Sequence, residues 1–278
     1  MASSYQLLDF GRGRKLESLA GYVIDRPSPA AAGHPKYAAT WDGVDARYHE
    51  SERRWTFNRP WPEDLQIDCG RFSMPVQPTP YGHLGLFPEQ YDNWQWIAET
   101  SQKLGCDSAL NLFAYTGASS LAAAAGGAKV THVDAAKPNV NAAKVAAGLA
   151  GFGDSVRFMT DDARKFVARE LRRERNYQLI ILDPPAYGHG PKGSAWRLER
   201  DLWPLLSDCI QLLSGPRTAM LITGHSEQIE GRDIVRWLRD RFGEGLSVST
   251  RRAELIDPHH RQLDCGFWVR AEFGRSDR

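Results

Sequence analysis

LNLFAYTGASSLAAAAGGAKVTHVD, residues 110–134, is the stretch whose reading decides the fold. A short apolar run turns at Thr116-Gly117, continues as an alanine-rich segment closed by Gly126-Gly127, and ends in a second apolar run that stops on Asp134. Strand, tight turn, helix, strand and carboxylate follow in the order a mononucleotide-binding βαβ unit requires. A helix starting just after Gly117 aims unpaired backbone N–H groups, and about half a unit of positive charge, over the end of the first strand. Asp134, at the tip of the second strand, is placed to accept hydrogen bonds from a ribose diol. The same pattern also serves any α/β crossover with a polar strand end.

Further strands and helices extend the unit in both directions. Downstream, Pro138 to Gly148 is a helix of small residues suited to close packing on a sheet. Ser155 to Met159 is a third strand, ending at Thr160-Asp161-Asp162-Ala163, which opens a basic helix reaching about Arg175. Tyr177 to Leu182 is wholly apolar and hence a central strand buried on both faces, and it runs into Asp183-Pro184-Pro185-Ala186-Tyr187. Helices over about 196–213 and 229–242 enclose a fifth strand, Thr218 to Thr223. Ser247 to Arg251 and Gly266 to Glu272 read as an antiparallel pair at the sheet edge. Upstream, Pro88 and Glu89 start a helix that ends before Gly105.

The first 80 residues read differently. Tyr5 to Asp9, Tyr22 to Asp25, Arg53 to Phe57, Leu65 to Asp68 and Arg71 to Met74 are candidate strands, the last two joined by a hairpin at Cys69-Gly70. Gly11-Arg12-Gly13-Arg14-Lys15 reads as a basic loop, either a solvated turn or a phosphate grip. The expectation is an α/β protein with a doubly wound, mostly parallel sheet and an antiparallel edge at 81–278, and a small β-rich region at 1–80.

Composition narrows the function classes. With 278 residues, 42% of them hydrophobic, the chain can bury about three-quarters of its unfolded surface and needs no staples. Its four cysteines are widely separated without a Cys-x-x-Cys pair, which argues against a zinc site or a disulfide framework and fits a reducing, cytoplasmic setting. No stretch approaches the roughly 18 apolar residues of a membrane span. A net charge of +1 leaves any nucleic-acid binding to local patches.

In an open α/β sheet the ligand lies over the carboxyl ends of the strands. Gly117, Asp134, Asp162, Asp183-Pro184-Pro185 and His225 follow strands one to five in turn, so all fall on that edge. Asp162 can accept from an adenine amino group, while Asp161 and Asp162 are also natural helix N-caps. Two prolines after a buried strand fix a rigid loop where substrate enters. A carboxylate and a main-chain carbonyl there can accept from an NH2 group, and Tyr187 can stack on a base.

With GHLGLFPEQYDNW (82–94), LNLFAYTG (110–117), THVDAAK (131–137), TDDARKF (160–166) and DPPAYG (183–188), the chain resembles the class I S-adenosylmethionine-dependent methyltransferases. Within them it resembles the large-subunit ribosomal RNA methyltransferase group that contains the cytosine-C5 enzymes. The resemblance implies cofactor contacts at Phe87 and Gln90 and along the Asn111 to Gly117 loop with Phe113, Tyr115 and Thr116. It further implies Asp134 at the ribose, Asp162 at the adenine, Ala135, Asp161, Ala163 and Asp183 as further cofactor contacts, and Asp183, Pro184 and Pro185 at the transfer site. Tyr187 and His225 complete the expected catalytic set.

One departure matters. Cytosine-C5 members carry a Ser-Cys-Ser run after strand five where this chain has Thr223-Gly224-His225-Ser226, so a cysteine adduct is not expected. The RNA-binding domain found at the N-terminus of many relatives is expected to be absent or replaced. The leading expectation is methyl transfer from S-adenosylmethionine by direct displacement to a nucleobase nitrogen of RNA, with no metal and no membrane partner. Three alternatives stand beside it: a small-molecule or protein acceptor, a silent RNA-binding module using the basic helix Arg164 to Arg175, and a nicotinamide oxidoreductase, which Tyr115-Thr116-Gly117-Ala118-Ser119-Ser120 serves poorly because it lacks the Gly-x-Gly-x-x-Gly pattern.

Overall fold

The computed structural model describes residues 4–37, 39–189, 195–226 and 228–274. These fall into two compact units: the described residues up to Asp92 with Ala253–Cys265, and those of Asn93–Arg252 with the residues from Gly266 onward.

The first unit is built on a five-stranded sheet of β1 (Tyr5–Gly11), β2 (Arg14–Leu19), β3 (Tyr22–Pro27), β4 (Ala46–His49) and β5 (Arg54–Phe57), in that order. A separate hairpin joins β6 (Gln66–Asp68) to β7 (Ser73–Pro75), with Gly70 at φ +89° in its turn. Two of these strands are not legible in the sequence, and β2 corrects the reading of the basic loop. Arg14 and Lys15 are neither a solvated turn nor a phosphate grip. Arg14 Nε meets Asp25 Oδ1 at 2.6 Å, and Lys15 Nζ and Arg26 Nε meet Glu17 at 3.0 and 2.5 Å. Glu17 and Asp25 are buried. This core is held partly by ion pairs, so hydrophobic alternation fails as a signal for β2. β4 escapes for a simpler reason, being a four-residue strand, Ala-Arg-Tyr-His, whose alternation is too brief to stand out.

The second unit carries a seven-stranded sheet. In spatial order it runs β10 (Val156–Thr160), β9 (Val130–Asp134), β8 (Ala109–Leu112), β11 (Leu179–Leu182), β14 (Arg217–Gly224), β16 (Gln262–Gly274) and β15 (Leu246–Ile256). The first five are parallel, and β16 is antiparallel to β14. This is the expected mostly parallel sheet with an antiparallel edge. All four residues of β11 are buried, as an apolar run flanked by strands on both sides requires.

Among the described residues, six α-helices accompany the strands: α1 (Tyr91–Leu104), α2 (Ala118–Ala125), α3 (Lys137–Leu149), α4 (Ala163–Arg172), α5 (Leu198–Leu212) and α6 (Gly231–Phe242). Leu112, Ile180, Leu182 and Ile222 from the sheet pack with Phe166 and Val167 of α4 and with Leu202, Leu206, Ile234 and Leu238 of α5 and α6. α5 starts at Leu198 rather than Trp196, because β13 (Ala195–Arg197) pairs antiparallel with β12 (Tyr187–His189). Among the described residues no helix is long and apolar enough to cross a membrane.

Candidate active site

Register places the strand ends side by side. Leu112 pairs with Val133, Leu182 with Leu112 and with Ile222, and Thr160 with Asp134, so the loops after β8, β9, β10, β11 and β14 leave from one edge. Most of the second-unit residues expected at a ligand site sit in or next to those loops; Asn111 lies within β8, Asp134 closes β9, Ala163 opens α4 and Tyr187 is on β12.

The loop after β8 alternates in handedness. Phe113, Tyr115 and Gly117 have φ of +55°, +50° and +98°, and the first two, lacking glycine's freedom, each cost about 1 kcal/mol or more. Such strain persists where the surroundings hold it, and Asp134 does so here. Its Oδ2 accepts from Tyr115 N at 2.9 Å, while Oδ1 accepts from Ala136 N at 2.8 Å and from Asn139 Nδ2 at 3.1 Å. A carboxylate offers about four lone-pair positions, so Asp134 holds two loops together and keeps acceptor capacity for a ligand. Gly117 is the N-cap of α2 and gives it no side-chain cap, leaving the first amides of that helix for a bound group. Ala135 is exposed beside them.

Asp161 and Asp162 divide their labour. Asp162 caps α4 by accepting from Lys165 N at 3.2 Å, and Asp161 pairs with Arg169 at 2.7 Å. Ala163 is the buried first residue of the helix. The basic face of α4 is also engaged: Arg164 lies 3.3 Å from Asp162 and from Asp201, and Arg173 3.6 Å from Glu170. Lys165 and Arg172 stay exposed on the same helix.

After β11, Asp183 Oδ1 accepts from Thr223 Oγ1 of β14 at 2.5 Å. Trp196 Nε1 donates to the Pro185 carbonyl at 2.6 Å, and its ring packs 4.9 Å from Phe113. No described residue donates to the Pro184 carbonyl. Tyr187, on β12, is 68% exposed, and His225, directly after β14, is exposed as well. Thr223 and Trp196 carry no sequence signal for these roles, since one is a strand-end hydroxyl and the other reads as a helix residue. Phe87 and Gln90 belong to the first unit, where Gln90 N donates to Phe87 O at 3.0 Å and the Phe87 ring lies 6.0 Å from His83.

A family model described as S-adenosylmethionine-dependent methyltransferase matches residues 57–234. The chain belongs to that family. Among solved structures the methyltransferase is similar to the SAM-dependent methyltransferase from Agrobacterium tumefaciens, at 30% identity and a TM-score of 0.88 over 98% of this chain and 91% of that one. It shares its fold with SMU.776, solved in complex with SAH, at 17% identity and a TM-score of 0.76 over 97% and 75% of the two chains. It is 36% identical over 139 residues, 49% of its own length, to the ribosomal RNA large subunit methyltransferase K/L of Shewanella frigidimarina. A protein of the same name from Methylococcus capsulatus is 37% identical over 108 residues, 37% of this chain. The matched stretches span 19% and 14% of those two longer proteins.

Membership replaces the nicotinamide alternative. S-Adenosylmethionine is the family's methyl donor, and the residues present suit it: an acid with spare acceptor capacity at the second strand tip, open amides at the start of α2, and the fixed Asp183 loop beside them.

Proposed function

We propose that this methyltransferase modifies a nitrogen of an RNA base by direct displacement. The observation that carries the reading is the Asp183-Pro184-Pro185 loop, held from β14 by Thr223 and from β13 by Trp196. An amino group is recognised by acceptors, and this loop presents a carboxylate and the Pro184 carbonyl. When bound, S-adenosylmethionine supplies a methyl group on a sulfonium. Asp183 and Pro184 accept the substrate N–H bonds and set the nitrogen lone pair in line with that carbon, so catalysis rests on positioning and on excluding water. Tyr187 stacks on the base, and His225 takes the proton that the nitrogen loses. Asn111, Phe113, Tyr115, Thr116, Asp134, Ala135, Asp161, Asp162 and Ala163 hold the cofactor around this centre.

Absence of a cysteine adduct is part of the proposal. Burial raises the thiols of Cys69, Cys106 and Cys265 to about 12, 11 and 12 and that of Cys209 beyond the ordinary thiol range, and a thiol that stays protonated does not attack. The names of the curated relatives direct the substrate toward ribosomal RNA, and four free cysteines suit a cytoplasmic setting.

Tritiated methyl transfer onto fractionated cellular RNA and protein tests this. Label in RNA, recovered after nuclease digestion as an N-methylated nucleoside, is the expected result. Asp183→Asn should lower kcat by about a hundredfold while cofactor binding persists, and replacing all four cysteines by alanine should spare the chemistry. Label confined to protein, or a covalent complex with 5-fluorocytidine RNA, would overturn it.

A further inference from the structure

Asn111 and His132 are register partners across the parallel β8–β9 pair, and both side chains are buried, at 1% and 0% exposure. Ser120, in the first turn of α2, joins them: Asn111 Nδ2 donates to Ser120 Oγ at 2.9 Å, and that oxygen lies 3.0 Å from His132 Nδ1. The hydroxyl oxygen thus accepts from the amide and shares a hydrogen bond with Nδ1, whose direction follows the His132 tautomer. Nε2 is itself buried and has no hydrogen-bond partner among the described residues. A polar atom left this way destabilises a core, so the arrangement has to return something elsewhere.

Its position says what. A Cβ built on Gly117 would lie 3.7 Å from His132 Cε1 and 3.0 Å from Ala143 Cβ, so the imidazole abuts the turn from which α2 starts. Along the strands, Asp134 is two residues beyond His132, and Phe113 two residues beyond Asn111. We infer that Asn111, Ser120 and His132 form a hydrogen-bonded brace that fixes the start of α2 against β8 and β9, and that Ser120 and His132 are thereby positioning residues for cofactor binding. The inference rests on the assignment of this edge to S-adenosylmethionine. Apolar side chains would fill the same space, but hydrogen bonds fix a direction, and the ligand-facing amides of α2 need one.

Calorimetry of the full chain with S-adenosylhomocysteine, paired with melting of the unliganded protein, tests the brace. Ser120→Ala and His132→Leu should each weaken binding about five- to tenfold, as the loss of a directed hydrogen bond predicts, with melting within a few degrees of wild type. His132→Asn, which keeps a hydrogen-bonding group near the Nδ1 position, should restore affinity to within about twofold. Unchanged affinity in Ser120→Ala and His132→Leu, or a fall in all three variants that tracks their melting, overturns the inference and leaves the cofactor assignment standing. A wild-type protein that does not bind the probe overturns both. Should His132→Leu fail to fold, Ser120→Ala, which deletes one oxygen, decides alone.

Discussion

At the residue scale, Asp134 and Asp162 each combine a proposed cofactor contact with a structural duty, and the two can be separated. Asp134 holds Tyr115 N, Ala136 N and Asn139 Nδ2, and hydrogen bonds to a charged acceptor are worth about 1.5–3 kcal/mol each. Asp134→Ala should therefore lower unliganded stability by about 2 kcal/mol or more in urea melts and weaken S-adenosylhomocysteine binding at least tenfold by calorimetry. Asp162 accepts from Lys165 N as the cap of α4. Asp162→Ala should lose about 1 kcal/mol of stability. Asp162→Ser retains a capping oxygen and should recover most of that, so any affinity still missing in the serine variant belongs to the cofactor.

At the element scale, the approach of α2, α3 and β9 around Gly117 leaves no room for a side chain. Its φ is +98°, and an added Cβ meets Ala143 of α3 at 3.0 Å. Gly117→Ala should cost about 1–2 kcal/mol from the backbone alone and displace the first turn of α2, weakening cofactor binding. Ala143→Gly in the same chain relieves the contact but not the dihedral, so stability should recover only in part. Beneath this turn, burial lowers the His132 pKa from 6.5 to about 4. The unfolded chain therefore binds a proton between those values that the folded one refuses. His132 stability is complete above about pH 6.5 and should fall by up to about 3 kcal/mol on acidification to pH 4. Urea melts of His132→Asn should lack that slope.

At the scale of the whole molecule, the two units meet acid in different windows. Burial raises the Glu17 pKa, but Arg26 and Lys15 more than offset it and hold the group at about 2. Its folded value is below its unfolded one, so its contribution is complete above about pH 4.5 and is lost as pH falls toward 2. Hydrogen exchange resolved by segment should show the second unit loosening between pH 6.5 and 4 while β2 and β3 stay protected until lower pH. Glu17→Gln should erase this late step and destabilise the protein by about 3–5 kcal/mol, because it leaves Arg26 buried without its partner charge.

Much of this protein is set by local pattern. The turn at Gly117, the acid closing β9, the apolar β11 and the Asp183-Pro184-Pro185 exit follow from period, glycine placement and proline chemistry, because each acts over a few neighbouring residues. That the second sheet is mostly parallel is legible for the same reason, since its strands alternate with helices along the chain. Tertiary structure decided the rest. β2 is hidden because Glu17, Lys15 and Arg26 satisfy one another across strands, and ion pairs between distant residues leave no periodic trace. Thr223 beneath Asp183, Trp196 on the Pro185 carbonyl, and the brace from Asn111 through Ser120 to His132 each join side chains from separate elements. Such contacts exist only once the sheet has aligned its strand ends, which is why the residues at the edge can be read from the chain and the residues that hold them there cannot.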